Sequence, residues 1–143
     1  KISARLAPGD LIFRHYLVPG LLWKGDSVQL GVSRVDGDSN LECGLALHKG
    51  RAVFVVWQTP GPEVEEIIQT SVTHEGEGCL YRFSIPLSLF GLKPGEVIGV
   101  SAVINDADQA VRKAYLELGE GLGGRKEPDT YGKYVLAIRP GTP

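Results

Sequence analysis

Residues 27–33 read Ser-Val-Gln-Leu-Gly-Val-Ser, a strict alternation of apolar and small polar side chains. Val28, Leu30 and Val32 fall on one side, and Ser27, Gln29, Gly31 and Ser33 on the other. A period of two belongs to a β-strand with one buried face, because successive side chains on a strand point in opposite directions. The alternation returns along the chain. Cys79, Tyr81, Phe83 and Ile85 share one side of residues 79–85, and Ile98, Val100, Ala102 and Ile104 one side of residues 97–105. Tyr134, Leu136 and Ile138 do the same in residues 133–139.

Between these runs lie turn residues. Nineteen Gly and nine Pro in 143 residues favour many short strands over long helices. Residues 10–18 carry apolar groups on both sides, as in a strand covered on both faces or packed at a barrel-like corner. Pro19-Gly20 then turns the chain into the central run, which ends at the Asp36-Gly37-Asp38-Ser39-Asn40 cluster. Residues 42–48 and 52–58, joined across Lys49-Gly50, read as a hairpin. In residues 64–72 the spacing of Val64, Ile67 and Ile68 is helical, while Thr70, Ser71 and Val72 favour a strand, so a strand is expected in the second half. Pro86 stops residues 79–85, and Leu87-Ser88-Leu89-Phe90-Gly91 reads as one helical turn ended by Gly. Residues 112–118 form a further short strand, followed by a glycine-rich loop over 119–132. The expected fold is all-β, a two-sheet antiparallel β-sandwich with at most short helical turns, in one domain spanning residues 1–143.

Composition narrows function mostly by exclusion. Hydrophobic content of 43% with 22% charged residues is that of a globular chain, not a disordered one. A formal net charge of −2 gives no argument for nucleic acid or an anionic membrane surface. No apolar run approaches the roughly 20 residues that span a bilayer. Residue 1 is Lys and no signal peptide is visible, which leads us to expect a processed or excised segment. Cys43 and Cys79 have no metal-ligand spacing; one disulfide and two buried free thiols are both open. His15, His48 and His74 lie in separate segments, and no nucleophile elbow, P-loop or HExxH motif occurs. A non-enzymatic domain is expected.

Trp23 and Asp26 stand where the central strand emerges from the Pro-Gly loop. An apolar ring beside hydrogen-bonding groups at a sheet rim suits a sugar, whose C–H faces stack on aromatics while its hydroxyls need polar partners. The competing reading of Trp23 is a lid on the core. Trp57 ends an apolar run and reads as core or rim. Tyr131, between Thr130 and Gly132 in the glycine-rich loop, reads as a plug.

Four blocks carry a resemblance: WKGDSVQL (23–30), YRFSIPLSLFGLKPGEVIG (81–99), VINDAD (103–108) and LGEGLGGRKEPDTYGKYVL (118–136). Together, in this order and spacing, they resemble the family 9 carbohydrate-binding modules and the wider DOMON-like β-sandwich group. The resemblance implies a jelly-roll-like sandwich within a secreted, extracellular polysaccharide-active protein. It also implies a non-catalytic module that binds a polysaccharide or oligosaccharide and anchors a neighbouring catalytic domain. The alternative is a domain of the same fold that has lost its sugar site and packs on that neighbour.

In the resembled modules two tryptophans hold a sugar end. Trp23 stands at the position of the first, and Arg125 replaces the second, in the loop before Glu127-Pro128 and Tyr131-Gly132. Gln29 takes the place of a sugar-bonding polar residue, while Leu45, Leu47 and Val103 fall where other polar contacts would be. The implied sugar site is therefore Trp23, Gln29 and Arg125; a guanidinium there can stack on a ring or pair with a carboxylate or sulfate on an acidic glycan. Members of the family carry calcium, and Asn105, Asp106 and Asp108 lie in an expected oxygen-rich turn that suits either a structural calcium or a plain turn. DOMON domains that hold haem use Met and His; the chain has no Met, so that ligation is not expected. Asp26 and Arg112 are expected to pair across the sandwich.

Overall fold

The computed structural model describes residues 2–6, 26–36, 38–48, 50–76, 78–108 and 111–137, with the backbone alone described at 2–6, 107–108 and 111–113. The strand expected at 10–18, Trp23, and the Arg112 side chain expected to meet Asp26 lie outside this set; Asp26 itself is buried.

Nine strands are described: β1 (Ile2–Leu6), β2 (Ser27–Arg34), β3 (Asn40–His48), β4 (Arg51–Gln58), β5 (Gln69–Glu75), β6 (Gly78–Ser84), β7 (Val97–Asp108), β8 (Val111–Leu118) and β9 (Gly132–Val135). One helical turn, α1 (Val64–Ile67), precedes β5, and short 3-10 turns span Leu87–Phe90 and Pro128–Thr130. Residues 64–72 thus divide as expected. Gly91 closes the first 3-10 turn with φ of +62°, a conformation that costs glycine nothing because it has no Cβ.

All described pairings are antiparallel. A larger sheet runs β4-β3-β2-β7-β8, with β9 pairing the first part of β7 beside the β7–β8 pair. A smaller sheet runs β1-β6-β5. The two inner faces make the core. β2 contributes Val28, Leu30 and Val32, and the register sets Leu45, Cys43 and Leu41 of β3 and Ile104, Ala102 and Val100 of β7 beside them. Cys79, Tyr81 and Phe83 of β6 meet this layer from the smaller sheet. Phe83 packs edge-on against Phe54 of β4, with ring centroids 6.5 Å apart.

β2 differs from the expectation in one respect. Its second face is buried too: Ser27 and Ser33 are fully buried and Gln29 is 8% exposed. The cover over part of it is the glycine-rich loop after β8, as described below.

Cys43 (β3) and Cys79 (β6) sit in opposite sheets, both fully buried and both free thiols. Desolvation, with the Glu42 carboxylate adding to it, pushes the Cys43 thiol up to about 12. A thiol so raised holds almost no thiolate at neutral pH, and the thiolate is the reactive form. A disulfide-exchange reagent should therefore find no thiol in the folded chain and two per chain after denaturation without reductant; a count of zero after denaturation would instead indicate a bridge.

Candidate functional site

The outward face of the larger sheet holds the expected sugar residues that the structure describes. Gln29 projects from the middle of β2, between Gly44 of β3 and Val103 of β7. Neither neighbour can bond it through a side chain. Its own side-chain amide makes no hydrogen bond among the described residues, while Ser27, one step along the same face, accepts from Asn105 Nδ2 at 3.2 Å. A nearly buried amide without a partner among the described residues is a group that a ligand or water can satisfy.

Residues 119–131 fold down over the rest of that face. Tyr131 is 3% exposed and lies directly on Gly31, so close that a methyl there would stand 2.5 Å from its ring and hydroxyl. Leu122, fully buried, joins Tyr131 and Val103 in a second small core on this side of the sheet. The loop is fixed by charge as well as packing. Glu117 Oε1 accepts from the backbone N–H groups of Leu122 (3.0 Å) and Gly123 (2.8 Å). Lys126 Nζ donates to Glu42 on β3 and, at 2.9 Å, to the Leu122 carbonyl. Ser33 Oγ donates to the Pro128 carbonyl at 3.3 Å. Burial, with Glu42 and Glu117 adding their charges, raises the Tyr131 phenol to about 12, so the ring remains neutral and wedged at ordinary pH.

Arg125 rides at the outer part of this anchored loop. Its side chain is 90% exposed, and its one described ion pair, to Glu127 Oε1 at 3.5 Å, is a solvent-screened contact that a ligand anion can displace. The loop therefore has a fixed base and an exposed guanidinium.

Other expected positions are placed differently. Leu45 and Leu47 point into the inner core, with Gly44 and Ala46 on the outward side of β3, so neither leucine shares the face that carries Gln29. Val103 does face outward, but beneath Leu122 and Tyr131. The turn expected at 105–108 is strand: β7 continues to Asp108 and pairs with β8 through a register shift after Asp106. Asn105 is fully buried on Ser27 and Asp106 is exposed, as alternation on a strand demands. These two side chains do not converge on one cation; the side chain of Asp108 lies outside the described residues. Among the described residues no three His, Cys, Asp or Glu side chains gather to hold a metal.

What the sequence pattern missed is that the small polar face of β2 is itself a packing surface. The signal was present: that face carries Ser, Gln and Gly but no charge, as suits a covered face rather than a wet one.

No family model and no curated protein matches the sequence. Solved structures do match the fold. The chain is similar to a carbohydrate binding module of family 9 from Caldicellulosiruptor kristjanssonii in complex with glucose, with a TM-score of 0.69 and 17% identity over 98% of this chain and 71% of that one. It is also similar to a family 9 module from the same organism in complex with cellotriose, with a TM-score of 0.64 and 17% identity over 89% of this chain and 64% of that one. The chain has the fold of these modules. Both solved chains extend beyond the matched part, and at this identity the likeness speaks for architecture, not for the site.

Proposed function

We propose that the chain is a non-catalytic carbohydrate-binding domain whose glycan lies on the outward face of the larger sheet, beside the loop bearing Arg125, with Trp23 as its stacking ring. The observation that carries this reading is Gln29, an almost buried amide without a hydrogen bond among the described residues, beside a loop anchored by Glu42, Glu117 and Tyr131. Such a group suits a sugar hydroxyl, since it can both donate and accept. The two solved modules of the same fold, one bound to glucose and one to cellotriose, support a saccharide as the ligand class. In this reading the domain belongs to a secreted protein and anchors a polysaccharide-active catalytic domain to its substrate.

A specific observation supports a contact with such a neighbour as well. Leu116 and Leu118 lie opposite Ile104 and Ala102, and Tyr134 opposite Ile98, so all three belong to the core-facing side of the larger sheet. Yet they are 65%, 59% and 46% exposed. An apolar strip of this kind suits a docked domain.

Titration calorimetry of the folded chain with cellotriose and with neutral and acidic oligosaccharides tests the sugar reading. Without a second tryptophan, dissociation constants of about millimolar to tens of micromolar are expected. Trp23→Ala and Gln29→Ala should each remove measurable binding, and Arg125→Ala should weaken acidic glycans more than neutral ones, an effect reproduced by added salt. A chain that binds no glycan across an array leaves only the packing role.

A further inference from the structure

The Tyr131 ring crosses the outward face of the larger sheet in a defined direction. Its Cβ stands 3.3 Å from where a methyl on Gly99 of β7 would be, and its Cζ and hydroxyl 2.5 Å from where a methyl on Gly31 of β2 would be. Gly99 pairs with Ser33, and Gly31 lies two residues back along β2, so the ring runs diagonally down that strand and ends on Gly31. The next residue on the same face is Gln29.

A buried tyrosine hydroxyl ordinarily finds a hydrogen-bond partner. Tyr131 is 3% exposed, yet its hydroxyl makes no hydrogen bond among the described residues. The Gln29 amide, 8% exposed, makes none either. Two neighbouring polar groups, each more than nine-tenths buried and unbonded there, cost the fold about 1–3 kcal/mol apiece unless something else satisfies them. Ser101, opposite Gly31 on β7, differs: its hydroxyl also lacks a partner among the described residues, but it is wholly enclosed. Tyr131 and Gln29 keep a narrow exposure, which admits a group the size of a hydroxyl.

Charge and spacing select the ligand. Burial, with the carboxylates of Glu42 and Glu117 adding to it, keeps the phenol protonated, and the same two carboxylates oppose an anionic group beside it. Phenol and amide each donate and accept, as a sugar hydroxyl does. Two steps along a strand are about 7 Å. Adjacent ring hydroxyls, each bonding at about 2.8 Å, can bridge that span. We infer that Tyr131 contacts the glycan, its hydroxyl and the Gln29 amide taking two adjacent hydroxyls of one uncharged sugar unit. The inference rests on the sugar-binding reading above and assigns the base of that site to a neutral unit.

Calorimetry with cellotriose tests it. Tyr131→Phe keeps the ring and removes only the hydroxyl, so the melting temperature should stay within about 2 °C. Cellotriose should nevertheless bind about two- to tenfold more weakly, the worth of one hydrogen bond. Ser101→Ala, which removes a hydroxyl that no ligand reaches, should leave the affinity unchanged. Cellotriose analogues that each lack one ring hydroxyl identify the contact: for one of them Tyr131→Phe should bind no more weakly than the unaltered chain does. Unchanged cellotriose affinity in Tyr131→Phe, an equal loss in Ser101→Ala, or a further loss in Tyr131→Phe with every analogue would overturn the inference, while a loss of binding in Trp23→Ala would still uphold the sugar reading. A large fall in the melting temperature of Tyr131→Phe would also overturn it, because the hydroxyl would then be bonded within the protein. No glycan binding by the unaltered chain removes the sugar reading itself, and this inference with it.

Discussion

Phe83→Ala should cost the fold about 3–5 kcal/mol, the usual range for emptying a buried phenylalanine site. Phe83 is 1% exposed and joins the sheets: it stands on β6 of the smaller sheet and meets Phe54 of β4 edge-on across the core. Truncation removes the transfer energy of the ring, opens a cavity that two hydrogen-bonded sheets cannot collapse into, and deletes an aromatic pair worth roughly 0.5–1.5 kcal/mol by itself. Domains of this size are stable by only about 5–15 kcal/mol, so a drop in melting temperature on the order of 10 °C or more is expected. In urea the midpoint should fall with the slope unchanged, the sign of lost stability rather than a changed unfolded state. Phe54→Ala should cost less, since Phe54 is only half-buried and its place can refill with water. A loss below about 1 kcal/mol for Phe83→Ala would mean that the sheets do not pack through this ring.

The core was legible because its code is local. Val28, Leu30 and Val32, or Cys79, Tyr81 and Phe83, announce a buried face through a two-residue period that only a strand produces. The 3-10 turn at Leu87–Phe90 was legible for a similar reason, with Pro86 before it and a left-handed Gly91 after it. Features that depend on partners distant in sequence were not. Asn105 and Asp106 carry turn chemistry, yet β7 runs through them because Ser27, 78 residues away, supplies the buried amide with an acceptor. Tertiary context overrides weak local preference at such positions. The β-bulge at Trp57 has no sequence signal, since it arises from how β3 and β4 count against each other. The candidate sugar site was legible in its residue types but not in its floor: Gln29 is only 8% exposed, and the loop over 119–131 packs on Gly31 and Val103 beside it.

That loop supplies the second large effect. Tyr131→Ala removes a 3% exposed ring from the small core it forms with Leu122 and Val103, and should cost on the order of 3–5 kcal/mol if the loop stays in place, less if it peels away. Gly31→Ala attacks the same contact from the sheet side. Its methyl would come within 2.5 Å of Tyr131 Cζ and hydroxyl, with the strand backbone held by β3 and β7 on either side, so the ring must move. Overpacking of this kind costs about 1–3 kcal/mol. The two substitutions should not add: in Gly31→Ala/Tyr131→Ala the new methyl enters the space the ring has left, so the double variant should be more stable than the sum of the singles predicts by about 0.5–3 kcal/mol. The same cycle reads out function under the sugar proposal. Tyr131 holds the loop base down on β2, and Arg125 projects from that loop; displacing the ring should shift the loop and weaken acidic glycans first, by an amount that the Glu117 and Lys126 tethers on either side of Arg125 limit. Strictly additive stabilities would show that Gly31 and Tyr131 do not touch. Unchanged acidic-glycan affinity in Gly31→Ala would show that the loop's position on β2 does not set the position of Arg125.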